Sequence, residues 1–180
     1  MPSPVGHTLA GCCVAAVAAR GAAGARAAPL IAAILAAANL PDADFLLGPL
    51  LRPLGVALAH QGPTHSLATV AAATLLLALP LRGKTPLPRA WGWLCAAGAV
   101  HLLLDLVNYD DYPPIGMPLL WPFSGEYVHA GVTLFPGTDR DNPLSAANAL
   151  ELLVELAWTL PLLALLLRGR LPRAARGGCR

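Results

Sequence analysis

The sequence predicts an all-α, multi-pass membrane bundle of about five apolar helices plus a re-entrant or interfacial segment. Three observations predict it. Over 180 residues the chain is 56% hydrophobic and 12% charged, about half the ~25% charge of a soluble domain and too little polar surface to coat a water-soluble globule. Five apolar stretches recur along the chain, and no strand-like alternation competes with them. The titratable residues in or beside those stretches, costly next to lipid, are mainly His7, Asp42, Asp44, His60, His65, His101 and Asp105.

The first two stretches, 7–19 and 27–40, are short and rich in alanine and glycine; Gly6, Gly11, Gly21 and Gly24 would let helices approach closely. Pro29 suits a first helical turn and Pro41 a helix end. An apolar piece at 45–58, broken by Gly48, Pro49 and Pro53, reads as the re-entrant or interfacial segment. The stretches 65–81, 90–108 and 146–167 approach the ~20 residues that cross a bilayer, and Pro161 should kink the last. A Pro-, Gly-, Tyr- and Trp-rich connection, 109–143, is long enough to suggest a lid or functional loop. Residues 1–168 are expected to form one membrane-embedded domain, with 169–180 as a basic cytoplasmic tail.

Charge sets the expected orientation. Arg20, Arg26, Arg82, Lys84, Arg89 and the tail arginines fall in alternate connections. Asp42, Asp44, Asp110, Asp111, Glu126, Asp139 and Asp141 fall in the others, opposed only by Arg52 and Arg140. Because Lys and Arg stay in the cytoplasm, five spans with the amino terminus outside and the carboxyl terminus inside satisfy every loop. Cys12, Cys13, Cys95 and Cys179 form no C-x-x-C pair and read as small core residues. The Leu9–Cys12 segment resembles a lipoprotein cleavage box, but nothing basic precedes it and the run before it is short and polar. No basic patch interleaved with aromatics suggests nucleic acid.

In that topology the chemistry-bearing residues collect at the outer end. His7 opens the first helix, Asp42 and Asp44 close the second, and His65 opens the third behind Thr64 as N-cap. His101 and Asp105, four apart, share a face of the fourth. Two carboxylates and neutral imidazoles around a divalent cation make a nearly neutral group, which lowers the cost of burial. Each residue also has a plainer reading: a hydrogen-bonded pair for His101 and Asp105, an acidic helix end for Asp42 and Asp44, a polar turn for His60 and His65, an interfacial residue for His7. His129 and Glu126 read as a solvated loop. Glu151 and Glu155 face either the bundle interior or the membrane surface, and Trp121, Tyr112 and Tyr127 suit an aromatic belt.

The order Gly6-His7, Leu40-Pro41-Asp42-x-Asp44, His60-x-Gly62-x-Thr64-His65-Ser66, His101-x-x-x-Asp105 and Gly116-x-Pro118-Leu119-Leu120-Trp121-Pro122 resembles the YdjM-like inner-membrane metal-dependent hydrolases over about residues 5 to 125. Gln61 stands where that family's third motif usually carries Arg. The family is in turn distantly similar to zinc-dependent phospholipase C and the P1-type nucleases. The resemblance implies an all-helical core and one or two divalent ions, zinc by analogy, held by His7, Asp42, Asp44, His65, His101 and Asp105. Among these, Asp44, His65, His101 and Asp105 are the expected direct ligands. Asp42 would bridge a second ion or act as base, with His60 completing the cluster or touching substrate. The implied function is hydrolysis of a phosphoester, a membrane-lipid headgroup being within reach, on the extracytoplasmic side of the cell membrane. A His/Asp relay transporter and a non-catalytic membrane scaffold are the alternatives.

Overall fold

A computed structural model describes residues 2–20, 27–56, 59–109, 113–139 and 141–168. The tail 169–180, Gly21, Gly24, Arg26, Asp110, Asp111, Tyr112 and Arg140 lie outside them. The described chain is all-helical: α1 Pro4–Ala18, α2 Ala28–Ala38, α3 Asp44–Leu51, α4 Leu67–Ala78, α5 Leu87–Leu106 and α6 Ala146–Arg168. Short 3-10 turns at Pro41–Ala43 and Pro63–His65 join α2 to α3 and lead into α4.

Helix starts follow local chemistry. Ser3 caps α1, its hydroxyl accepting from the Gly6 amide, with Pro4 in the first turn. α4 is capped by Ser66, whose hydroxyl accepts from the Thr69 amide. This corrects the expectation that Thr64 is the cap and His65 the first helical residue. The Thr64 side chain is engaged elsewhere, and His65 ends a 3-10 turn just ahead of the helix. In the segment expected to be broken, α3 continues through Gly48 and Pro49 but stops at Leu51, where a 3-10 turn with Pro53 and a left-handed Gly55 follow; α6 has Pro161 within it.

α1 packs on α2, α5 and α6; α5 also packs on α2 and α4. Small residues set these contacts. A Cβ on Gly11 would lie 2.7 Å from the Ala38 methyl, and one on Gly98 would run into Val70. The core is mostly alanine and leucine from α1, α2 and α5, including Ala15, Ile34, Ala37, Leu94 and Ala97. The motif around Gly116 folds back on the bundle: the Leu119 carbonyl accepts from the Leu67 amide, one of the donors that α4 leaves without an intrahelical partner.

Of the five apolar stretches, Ala146–Arg168 alone among the described helices is both long and apolar enough to cross a bilayer. Helices α2 and Pro41–Leu54 pass that test only as a pair bent by 65°. α1 and Leu67–Leu81 are short, and α5 has the length but carries Arg89, His101 and Asp105.

Candidate metal centre

Four segments far apart in sequence bring their side chains together where α1 begins, α2 ends and α5 ends. His7 lies one turn into α1, Asp42 in the turn after α2, His65 just before α4, and His101 and Asp105 in the last two turns of α5. His7, His65, His101 and Asp105 are almost completely buried. Asp42 and His60 keep a little access, with side chains 10% and 11% exposed.

The contacts are close. Nε2 of His65 lies 3.3 Å from Oδ1 of Asp42 and 3.5 Å from Oδ2 of Asp105. Nε2 of His101 lies 3.2 Å from Oδ2 of Asp105 and 3.6 Å from Oδ1 of Asp42. Nε2 of His7 stands 3.5 Å from Oδ1 of Asp105, and its ring stacks on that of His101 with centroids 3.7 Å apart. The two Nε2 atoms of His65 and His101 are 3.4 Å apart.

The outer hydrogen bonds decide where the protons sit. Nδ1 of His101 is 2.8 Å from the Ala38 carbonyl oxygen. A carbonyl only accepts, so Nδ1 carries the proton and Nε2 of the neutral ring presents a lone pair. The Thr64 hydroxyl donates to Oδ2 of Asp44 at 2.8 Å, and its oxygen lies 3.0 Å from Nδ1 of His65. With the hydroxyl proton spent on Asp44, His65 donates from Nδ1, and its Nε2 too faces the cluster as a lone pair. Oδ1 of Asp44 accepts from Nδ1 of His60 at 2.9 Å. Asp44, expected among the direct ligands, therefore uses both oxygens to orient His60 and, through Thr64, His65. Burial alone would raise the Asp44 carboxyl, but the hydrogen bonds from His60 and Thr64 outweigh it and hold it below the usual carboxylate range.

The inner set has the opposite character. All four carboxylate oxygens of Asp42 and Asp105, and both nitrogens of His7, are buried without a hydrogen-bond partner. Buried polar groups are rarely left so. The carboxylates of Asp42 and Asp105 and the inward lone pairs of His65 and His101, within 3.2 to 3.6 Å of one another, set acceptors against acceptors. That donor set fits a divalent cation, with imidazole nitrogen and carboxylate oxygen the usual zinc ligands and the Ala38 and Thr64 contacts the usual outer support. Among the described residues, three groups have ligand atoms near enough to hold an ion: His7 with His101 and Asp105; Asp42 with His65 and His101; and Asp44 with His60 and His65. In the third, Asp44 also bonds to His60 and to the Thr64 hydroxyl, so the expectation that Asp44 ligates directly is met by a group with ligand atoms in reach.

Across residues 1–171 the sequence matches the family model described as YdjM inner membrane protein. The chain belongs to the YdjM inner membrane protein family. No curated protein and no solved structure matches it. The YdjM match takes in every residue of the cluster and the whole of α6, and it makes this a membrane protein in which a His/Asp group sits at one end of the bundle.

Two supports of the YdjM centre had no advance signal as such. Thr64 reads from sequence as a helix cap, and the Ala38 carbonyl has no side chain to announce it. Asn108, three residues past Asp105, is also fully buried with both amide atoms unpaired. Glu151 and Glu155 turn inward: Glu155 accepts from the Ser3 amide and hydroxyl, and Glu151 accepts from Thr138 at 2.7 Å. His129 is held by the Asn108 carbonyl and the Gly131 amide, in the loop rather than the cluster.

Proposed function

We propose that this chain is a multi-pass, membrane-bound, metal-dependent phosphoester hydrolase with its site on the extracytoplasmic side. The observation that carries the reading is the buried set of four unpaired carboxylate oxygens facing inward imidazole lone pairs. His7, Asp42, Asp44, His65, His101 and Asp105 would hold one or two divalent ions, zinc by ligand chemistry. A cation there supplies Lewis-acid polarisation of a phosphoryl oxygen and a more acidic water.

The protein's own groups do the remainder. Asp42 and His60, whose side chains are 10% and 11% exposed, would line the approach. In this reading Asp42 bridges a second ion or takes a proton from an attacking water, and His60 completes the cluster or contacts substrate. Asp44 and Thr64 keep His60 and His65 in register, and Ala38 fixes the His101 ring. The acidic connections around Asp42 and Asp139 lie on the side away from Arg82, Lys84 and Arg89 in the charge pattern, which supports an outward-facing site.

The test is elemental analysis of purified protein and a phosphodiester assay with and without chelator. Bound zinc and chelator-sensitive turnover, both lost in His101→Ala, support the reading. Metal content unchanged by His101→Ala would overturn the ligand set. Metal without turnover of any phosphoester would overturn the reaction.

A further inference from the structure

Beside the cluster, α1, α5 and α6 enclose a cleft of about 320 Å³. Its walls include Ala10 and Val14 of α1, Val100 and Leu104 of α5, and Trp158 and Leu162 of α6. Ala10 follows His7 by one helical turn; Val100 and Leu104 each precede a cluster residue, His101 and Asp105. The helices that present the ligands thus turn a neighbouring face to this cleft. No charged side chain lines it, and the one hydroxyl there, on Thr159, is spent on the Glu155 carbonyl at 2.6 Å. The volume sits at the low end of small-ligand sites, ~300–1,000 Å³.

Its mouth tells what fills it. Trp158 and Leu162 are 62% and 49% exposed on the helix that is long and apolar enough to cross a bilayer and scarcely buried by the rest of the chain. The cleft therefore opens onto the surface that hydrocarbon covers in an inner-membrane protein. We propose that it takes one acyl chain of a glycerophospholipid whose phosphoester lies at the His/Asp cluster. This deepens the hydrolase reading and rests on it for the headgroup, though not for the chain. One apolar tail in the cleft holds the lipid at a set depth, so that its phosphoester is presented at the cluster's end of α1 and α5 rather than left to diffuse in the plane of the membrane.

The experiment uses the full chain in bilayer nanodiscs containing phosphatidylglycerol with a photoreactive diazirine in one acyl chain. Labelling is mapped by peptide, and metal content is measured on the same samples. Leu162→Trp narrows the mouth and Val14→Phe fills the floor. The expected result is label on the α1 and α6 residues that line the cleft, reduced several-fold by either substitution, with metal content unchanged. Each variant should also raise KM for long-chain phospholipid and leave turnover of a short water-soluble phosphodiester as it was. Label spread evenly over the outer face of α6 and indifferent to both substitutions would overturn the proposal. Cleft labelling that responds to the substitutions, in protein that hydrolyses neither substrate, would sink the hydrolase reading and leave the lipid site standing. Should Leu162→Trp lose its metal through misfolding, Val14→Phe decides.

Discussion

The Thr64 hydroxyl donates to Oδ2 of Asp44 at 2.8 Å, and the same oxygen lies 3.0 Å from Nδ1 of His65. One side chain therefore joins a carboxylate in the turn after α2 to an imidazole just before α4. It sets which nitrogen of His65 faces the cluster.

Thr64→Val keeps the shape and removes both bonds. Zinc affinity should fall ~10–100-fold, the usual effect of losing a group that orients a ligand. Thr64→Ser should restore most of it. Competition with a chromophoric chelator measures both, and an unchanged affinity in Thr64→Val would refute the role.

A cation bound at the cluster should stabilise the fold, because without it the carboxylates of Asp42 and Asp105 are left buried and unpaired. Ligand bound at about a hundred times its Kd contributes about 2.7 kcal/mol. The chelated protein should therefore melt several degrees lower, and Asp42→Asn should narrow that gap. Thermal unfolding in detergent with and without chelator reads it.

Acid should release metal before it loosens the Asp44 turn. Imidazole ligands must be neutral to bind, so protonation competes with the ion as pH falls. Asp44, held below the usual carboxylate range chiefly against its burial by His60 and Thr64, has a native-state pKa depressed below its unfolded value. Its contribution is complete above the unfolded pKa and is lost only as pH falls through the lower native one. Metal content and tryptophan fluorescence followed together through an acid titration should part company, metal leaving first; simultaneous loss would contradict the order.

Gly11→Leu should push α1 off α2, since even a methyl there meets the Ala38 side chain at 2.7 Å. Overpacking of this kind costs about 1–3 kcal/mol, and His7, one turn earlier on α1, should move with the helix. The expected readouts are a lower melting temperature and weaker zinc binding. Gly92→Leu on α5, where an added Cβ meets nothing within 4 Å, should leave both alone.

Much of the bundle was legible from composition and periodicity. The six described helices include all five apolar stretches, because long unbroken apolar runs without alternation admit few other structures. The span count was less legible. Hydropathy cannot tell a helix facing lipid from one packed among neighbours, and α5 trades apolar residues for Arg89, His101 and Asp105. At the site, residue types and the i,i+4 spacing of His101 and Asp105 marked the members. Their division of labour did not show, because a ligand and the residue that steers it can be the same amino acid. Asp42 and Asp44 are identical in type and two apart, yet one leaves both oxygens unpaired toward the cluster while the other spends both on His60 and Thr64.

Composition and local spacing alone set that this chain is helical, that it is poor in charge, and that His7, Asp42, His65, His101 and Asp105 fall toward helix ends. Tertiary packing set which lone pairs meet, that Asp44 rather than a helix end takes the Thr64 hydroxyl proton, and that the helices bearing His7, His101 and Asp105 also line an apolar cleft. Those facts depend on how separate helices are oriented about one another, and side-chain packing sets that orientation at distances no local pattern encodes.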